Sequence, residues 1–231
     1  MNYAVILAGG KGLRLGGDVP KQLLPLGGKP VIRWSAQTFH SVDEIDKIIV
    51  VGEKNSLIKI REILPQSDFP KIINFIEGGN ERSDSSYNAL VSGEFSHNDI
   101  FLFHDAARPF ITPEIIKSLV AEVKDSGAAG VYIPAVDTVT IAENNSVSHI
   151  PERKDVFYAQ TPQGFRYDII KNAHEKYRGG GLNIKVTDDV SLVMAAGHNI
   201  KLVNGSVLNF KITTDFDYRI AEFIAGSGLF K

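Results

Sequence analysis

Tyr3-Ala4-Val5-Ile6-Leu7-Ala8-Gly9-Gly10-Lys11-Gly12-Leu13-Arg14 lies at the front of the chain, and Pro20-Lys21-Gln22 follows closely. The apolar run is short, has no proline and ends at glycine, so it reads as a buried strand entering a loop. Glycines let that loop turn tightly and let its backbone approach a ligand. Successive backbone N–H groups form an anion-binding concavity. Lys11, Arg14 and Lys21 add positive charge at the same mouth, which points to a nucleoside triphosphate. Gly10-Lys11-Gly12 does not continue as Gly-x-x-Gly, and no Gly-Lys-Ser/Thr follows. The dinucleotide fingerprint and the P-loop are both excluded. A glycine-rich turn alone has no ligand preference; the nearby Arg14 and Lys21 supply it.

Outward from this strand, apolar runs alternate with amphipathic segments. Strands are expected at 4–7, 47–51, 72–76, 100–103, 129–133 and 200–203. Helices are expected at 30–39, 56–64, 81–92 and 113–124, then from about Arg166, from about Asp188 and after Thr214. Thr112-Pro113 is a helix start, a threonine cap followed by proline in the first turn. The rhythm predicts a three-layer α/β domain with a mainly parallel sheet and ligands beyond the carboxyl ends of its strands. The glycine loop and His104-Asp105-Ala106-Ala107-Arg108 both fall there. Near Asp137 the rhythm breaks into Thr138-Val139-Thr140-Ile141, a turn at Glu143-Asn144-Asn145-Ser146, and Val147-Ser148-His149-Ile150. This reads as a two-stranded arm over about 136–152. A lone hairpin is marginal in water, so the arm is expected to pack on a second subunit. No linker or repeat divides the chain, and residues 1–231 read as one domain.

The 231 residues suffice for a sizeable core, and the net charge of −2 leaves no field suited to nucleic acid or an anionic membrane. No cysteine is present, which removes disulfides and thiolate chemistry and fits a reducing cytoplasm. The first residues read as a strand, not a signal peptide, and no run approaches the length of a membrane span. Its histidines lack zinc-binding spacing. A cytoplasmic enzyme without nucleic-acid or membrane partners is expected.

Leu-Ala-Gly-Gly-x-Gly-x-Arg followed by Pro-Lys-Gln resembles the sugar-phosphate nucleotidyltransferases, and the short Arg14-to-Lys21 gap resembles the polyol-phosphate cytidylyltransferases. Further segments agree in order: Gly78-Gly79-Asn80-Glu81-Arg82-Ser83-Asp84-Ser85, His104 to Phe110, Asp137-Thr138, Gln160-Thr161-Pro162-Gln163-Gly164-Phe165, Thr187-Asp188-Asp189 and Phe210-Lys211-Ile212-Thr213. They span nearly the whole chain. Ala107, Gly164 and Asp189 are similar to the methylerythritol-phosphate branch. Leu7-Ala8-Gly9-Gly10 is similar to the ribitol-phosphate branch, which serves teichoic acid and capsule synthesis. The first branch, of non-mevalonate isoprenoid synthesis, is favoured. A non-catalytic nucleotide-binding subunit on the same fold is a third reading, opposed by Arg14, Lys21 and Lys211.

The resemblance implies a Rossmann-like nucleotidyltransferase fold, CTP and a polyol phosphate as substrates, Mg2+ as cofactor, and a homodimer joined by the arm. It implies Arg14, Lys21 and Lys211 as the catalytic cations. Ala8, Gly9, Gly10, Lys11 and Gly12 would cradle the triphosphate. Gly79, Asn80, Ser85 and the Ala106 backbone would hold cytidine; Asn80 stands where aspartate is frequent. Asp105, Arg108, Thr138, Arg153 and Thr187 would bind the polyol phosphate, Thr138 and Arg153 completing the neighbour's site. Mg2+ would be held mainly by CTP phosphates; Asp105 is either its protein ligand or a cap or arginine partner. Arg82 either holds the loop or touches ligand, and His104 is a scaffold residue.

Overall fold

Successive side chains of β1 (Asn2–Ala8) enter opposite faces of a sheet, and nearly all of them are apolar. Ala4, Ile6 and Ala8 join one buried cluster, and Tyr3, Val5 and Leu7 join the other. A strand buried on both faces is a central strand. The computed structural model describes residues 1–10 and 19–230.

A helical turn (Lys21–Leu23) and a small hairpin, β2 (Pro25–Leu26) and β3 (Lys29–Pro30), lead into α1 (Val31–Ser41). Then come β4 (Lys47–Gly52), α2 (Lys54–Ile63), β5 (Ile72–Glu77), α3 (Arg82–Leu90), β6 (Ile100–Asp105), α4 (Pro113–Ser126) and β7 (Ala128–Pro134). The arm is β8 (Ile141–Glu143) and β9 (Ser146–His149). After it run β10 (Phe157–Arg166), α5 (Tyr167–Arg178), α6 (Asp189–Ala195), β11 (Lys201–Asn204) and α7 (Asp215–Ser227).

The seven-stranded sheet has the order β11-β7-β10-β6-β1-β4-β5. Every neighbouring pair is parallel except those made by β10, which runs antiparallel to both β6 and β7. Helices α1, α2 and α4 cover the face of Ala4 and Ile6, through Ile32, Phe39, Ile60, Ile116 and Leu119. Helices α3, α5 and α6 cover the other face, through Leu90, Ile170, Ala173, Leu192 and Val193. The expected α/β three-layer architecture is therefore the observed one. Helix α4 starts at the Thr112 side-chain cap and stops at Gly127, whose φ of 82° is open to glycine without a Cβ penalty.

Sequence reading missed β10. Pro162 cannot donate to a ladder, so its segment carries no strand signal. The structure accommodates it with a register shift between Ala159 and Gln163, where the Thr161–Pro162 bond is cis. The arm's strands also start later than expected, at Ile141 rather than Thr138, and are wholly exposed. Its turn lies where expected: Asn144 and Asn145 take φ of 49° and 60°, the left-handed pair that tightens a hairpin.

Candidate active site

The carboxyl ends of β1, β4, β5 and β6 open into a cavity of about 900 Å³. Leu7 to Gly10, Lys21, Gly78 to Arg82, Ser85, Asp105 to Ala107 and Lys211 line it. A smaller one of about 130 Å³ adjoins it, lined by Arg108, Ala159 to Thr161, Gln163, Thr187 and Asp188. Arg82, Asp105 and Lys211 line both, so this charged trio marks the boundary.

Specific hydrogen bonds explain each placement. Buried Gln22 donates through Nε2 to the Ala8 carbonyl at 2.7 Å, fastening the Pro20-Lys21-Gln22 turn to the end of β1. Lys21 Nζ donates to the Ile212 carbonyl at 3.1 Å. The Ile212 amide donates to the Ala107 carbonyl at 2.9 Å. Three segments far apart in sequence are thus tied around one mouth. Glycine is required at position 79, because a Cβ there would sit 2.1 Å from Asp84 Cβ. The reciprocal cap of Glu81 and Asp84 fixes the start of α3 behind it. Ser85 Oγ accepts from the Gly79 amide at 3.1 Å and donates to the Glu81 carbonyl at 3.2 Å.

Asp105 Oδ2 lies 2.7 Å from Lys211 Nζ, and Oδ1 lies 3.4 Å from Arg82 Nε. Burial would raise the Asp105 carboxyl, but Arg82, Lys211 and Arg108 outweigh it and hold it well below the usual carboxylate range. Behind it, Arg82 Nη1 meets Asp189 Oδ2 at 2.5 Å, and Ser86 Oγ donates to the same oxygen at 3.0 Å. Asp189 is 0% exposed. Burial opposes its charge, and Arg82 and His174 nevertheless keep its pKa lowered. Arg82 therefore bridges two carboxylates while also lining both cavities.

His104 is 0% exposed, and burial pushes its pKa down to about 4. The neutral ring fixes its hydrogen bonds. Nε2 faces the Arg108 carbonyl at 3.1 Å and must donate to it. Nδ1 is then an acceptor for the Thr161 hydroxyl at 3.2 Å, and Thr161 Oγ1 in turn accepts from the Asp105 amide at 3.0 Å. His104 is a scaffold residue. The unfolded chain protonates it below about pH 6.5, while the folded protein resists until about pH 4. Stability should therefore fall as pH drops through that window, by up to about 3–4 kcal/mol at ~1.4 kcal/mol per unit. His104→Gln should flatten this part of the curve in denaturant titrations between pH 7 and 4.5; an unchanged slope would refute the assignment.

Ala8, Gly9, Gly10, Lys21, Gly79, Asn80, Ser85, Asp105, Ala106 and Lys211 thus gather in the larger cavity, and Arg108 and Thr187 in the smaller. Thr138 and Arg153 do not line either one. Arg153 Nη2 donates to Thr138 Oγ1 at 3.3 Å at the exposed base of the arm. Lys11, Gly12 and Arg14 lie outside the described residues. Gln22 and Thr161 stand inside recognised motifs without an assigned role, and Asn209, one residue before Phe210-Lys211, was missed; all three are buried polar residues. Among the described residues, no three His, Asp or Glu side chains cluster as a metal site, and no helix is long and apolar enough to cross a membrane.

The IspD family model, described as 2-C-methyl-D-erythritol 4-phosphate cytidylyltransferase, matches residues 2–227. A protein of that name from Clostridium perfringens is 40% identical over 221 residues, covering 95% of this chain and 96% of its own. A bifunctional ribulose 5-phosphate reductase/CDP-ribitol pyrophosphorylase from Haemophilus influenzae is 37% identical, covering 96% of this chain but 47% of its own. The crystal structure of 4-diphosphocytidyl-2C-methyl-D-erythritol synthase from Anaerococcus prevotii superposes with a TM-score of 0.83 at 31% identity. It covers 96% of this chain and 94% of its own. With a family match over residues 2–227 and a relative 40% identical across 95% of this sequence, the chain belongs to the 2-C-methyl-D-erythritol 4-phosphate cytidylyltransferase family.

Proposed function

We propose that the protein converts CTP and 2-C-methyl-D-erythritol 4-phosphate to 4-diphosphocytidyl-2-C-methyl-D-erythritol and pyrophosphate, a step of non-mevalonate isoprenoid synthesis. The observation that carries this is the family match over residues 2–227. The larger cavity suits CTP, with its triphosphate at the β1 turn and cytidine beside Gly79, Asn80, Ser85 and the Ala106 backbone. The smaller suits the acceptor phosphate, beside Arg108, Asp105, Thr187 and Lys211.

An acceptor phosphate oxygen attacks the α-phosphorus of CTP; the bond from that phosphorus to the bridging oxygen breaks, and pyrophosphate leaves. The acceptor is already an anion near neutral pH, so no general base is needed. The chain aligns the two phosphates and offsets their charge. Lys211 sits where the two cavities meet and Lys21 sits at the nucleotide mouth, so both cations serve the transferring group, together with Arg14. Mg2+, when bound, neutralises phosphate charge. Asp105 is ionised and lines both cavities. One carboxylate with substrate phosphates is a donor set that suits this ion, although Lys211 and Arg82 already engage both Asp105 oxygens.

Purified protein given CTP with each polyol phosphate tests the reading through pyrophosphate release. Faster turnover with ribitol 5-phosphate would overturn the acceptor assignment, and no release with either would overturn catalysis.

The arm supports a homodimer in which Thr138 and Arg153 complete the neighbour's acceptor site. Its exposed Val136, Ile141, Val147 and Ile150 are apolar surface that a partner would cover. Deleting residues 143–147 should lower activity or dissociate the dimer in sedimentation; a fully active monomer would sink this assignment.

A further inference from the structure

We infer that Thr161, which lines the smaller cavity, and the buried Asn209 bonded to its carbonyl are positioning residues that set the acceptor-binding loop at residues 105–108. The inference rests on the acceptor assignment above. Thr161 Oγ1 accepts the Asp105 amide at 3.0 Å and reaches His104 Nδ1 at 3.2 Å, so one hydroxyl grips both residues at the end of β6. Asn209 is 0% exposed. Its Nδ2 donates to the Thr161 carbonyl at 2.8 Å and to Gln160 Oε1 at 3.1 Å. Its own carbonyl accepts from Arg108 Nη1 at 2.8 Å. Asn209 stands two residues before Lys211, whose neighbour Ile212 donates its amide to Ala107.

Asp105, Arg108 and Lys211 come from two distant segments, and this polar cluster is where both segments and β10 are joined. Thr161 and Asn209 themselves make no direct hydrogen bond to the glycine turn or to residues 79–85; Arg82 holds Asp105 from that side, and the Ala106 amide is fastened separately to the Leu7 carbonyl at 3.0 Å. Loosening the polar cluster should harm the acceptor far more than the nucleotide. A buried hydroxyl that both accepts and donates also has no apolar substitute, since valine leaves the Asp105 amide without its acceptor.

The test compares Thr161→Val with Thr161→Ser, using whichever polyol phosphate the wild-type protein turns over best. Thr161→Val should lower kcat/KM for the acceptor by at least ~10-fold and leave the CTP KM within about twofold; Thr161→Ser should recover most of the loss. Equal losses in both variants, a loss seen in CTP KM alone, or no loss would overturn the inference. Asn209→Ala keeps the Arg108 acceptor and removes both side-chain donors; it serves as the second variant if valine prevents folding, with the same selective loss expected. Amide hydrogen exchange separates this inference from the functional one. Were neither acceptor used, the Asp105 amide should still exchange at least ~10-fold faster in Thr161→Val than in Thr161→Ser. Equal exchange would overturn it whatever the substrate.

Discussion

Lys211→Ala is expected to lower turnover by at least ~10²-fold, the scale of losing one preorganised charge at a transition state. The Lys211 side chain is half-buried, its ammonium lies 2.7 Å from Asp105, and the residue lines both cavities. Charge building on a transferring phosphoryl group would appear at that boundary. The fold should tolerate the change, because Arg82 and Arg108 still neutralise Asp105. Steady-state pyrophosphate release with a parallel melting curve separates the two effects. Turnover near wild type would remove Lys211 from the chemistry. Lys21→Ala should behave alike for turnover, because Gln22 keeps its turn docked on β1.

The second large effect concerns stability. Asp189→Leu should cost about 2–4 kcal/mol, since it removes a fully buried carboxylate and leaves a half-buried arginine without its nearer counter-charge. Arg82 meets Asp189 at 2.5 Å and Asp105 at 3.4 Å, so Asp105 alone is a poor replacement. The double variant Arg82→Met/Asp189→Leu should recover much of the loss, because no unpaired charge remains buried. Denaturant midpoints of the three proteins measure this. A single-variant cost below about 1 kcal/mol would mean that the pair does not hold the fold. The acid response has a definite sign. Asp189's folded pKa lies below the ordinary value of 3.8, so its contribution is present above that pH and is lost as pH falls further. The leucine variant should lack that acid-dependent part.

Much of this was legible in the chain. Strand β1 could be read from six apolar residues that end at glycine, since a strand buried on both faces needs no partner information to be recognised. Five further strands and seven helices followed from the same alternation. Strand β10 was hidden because Pro162 breaks the local rule, and only its neighbours β6 and β7 show that the segment is extended. Asn80, Ser85, Asp105 and Lys211 could be named from motifs. Their distances from one another could not, because a motif fixes order along the chain and not separation in space.

By itself, the sequence determined the α/β class, the glycine turn, the cations around it and the asparagine turn of the arm. Each depends on local backbone preference or on short-range periodicity. Only the tertiary structure decided that Arg82 bridges Asp105 and Asp189, that His104 is locked by Thr161, and that Asn209 ties Arg108 to β10. These are contacts between buried polar groups from distant segments. A polar group must find its partner once water is excluded, and which partner it finds is settled by how the layers close over the sheet.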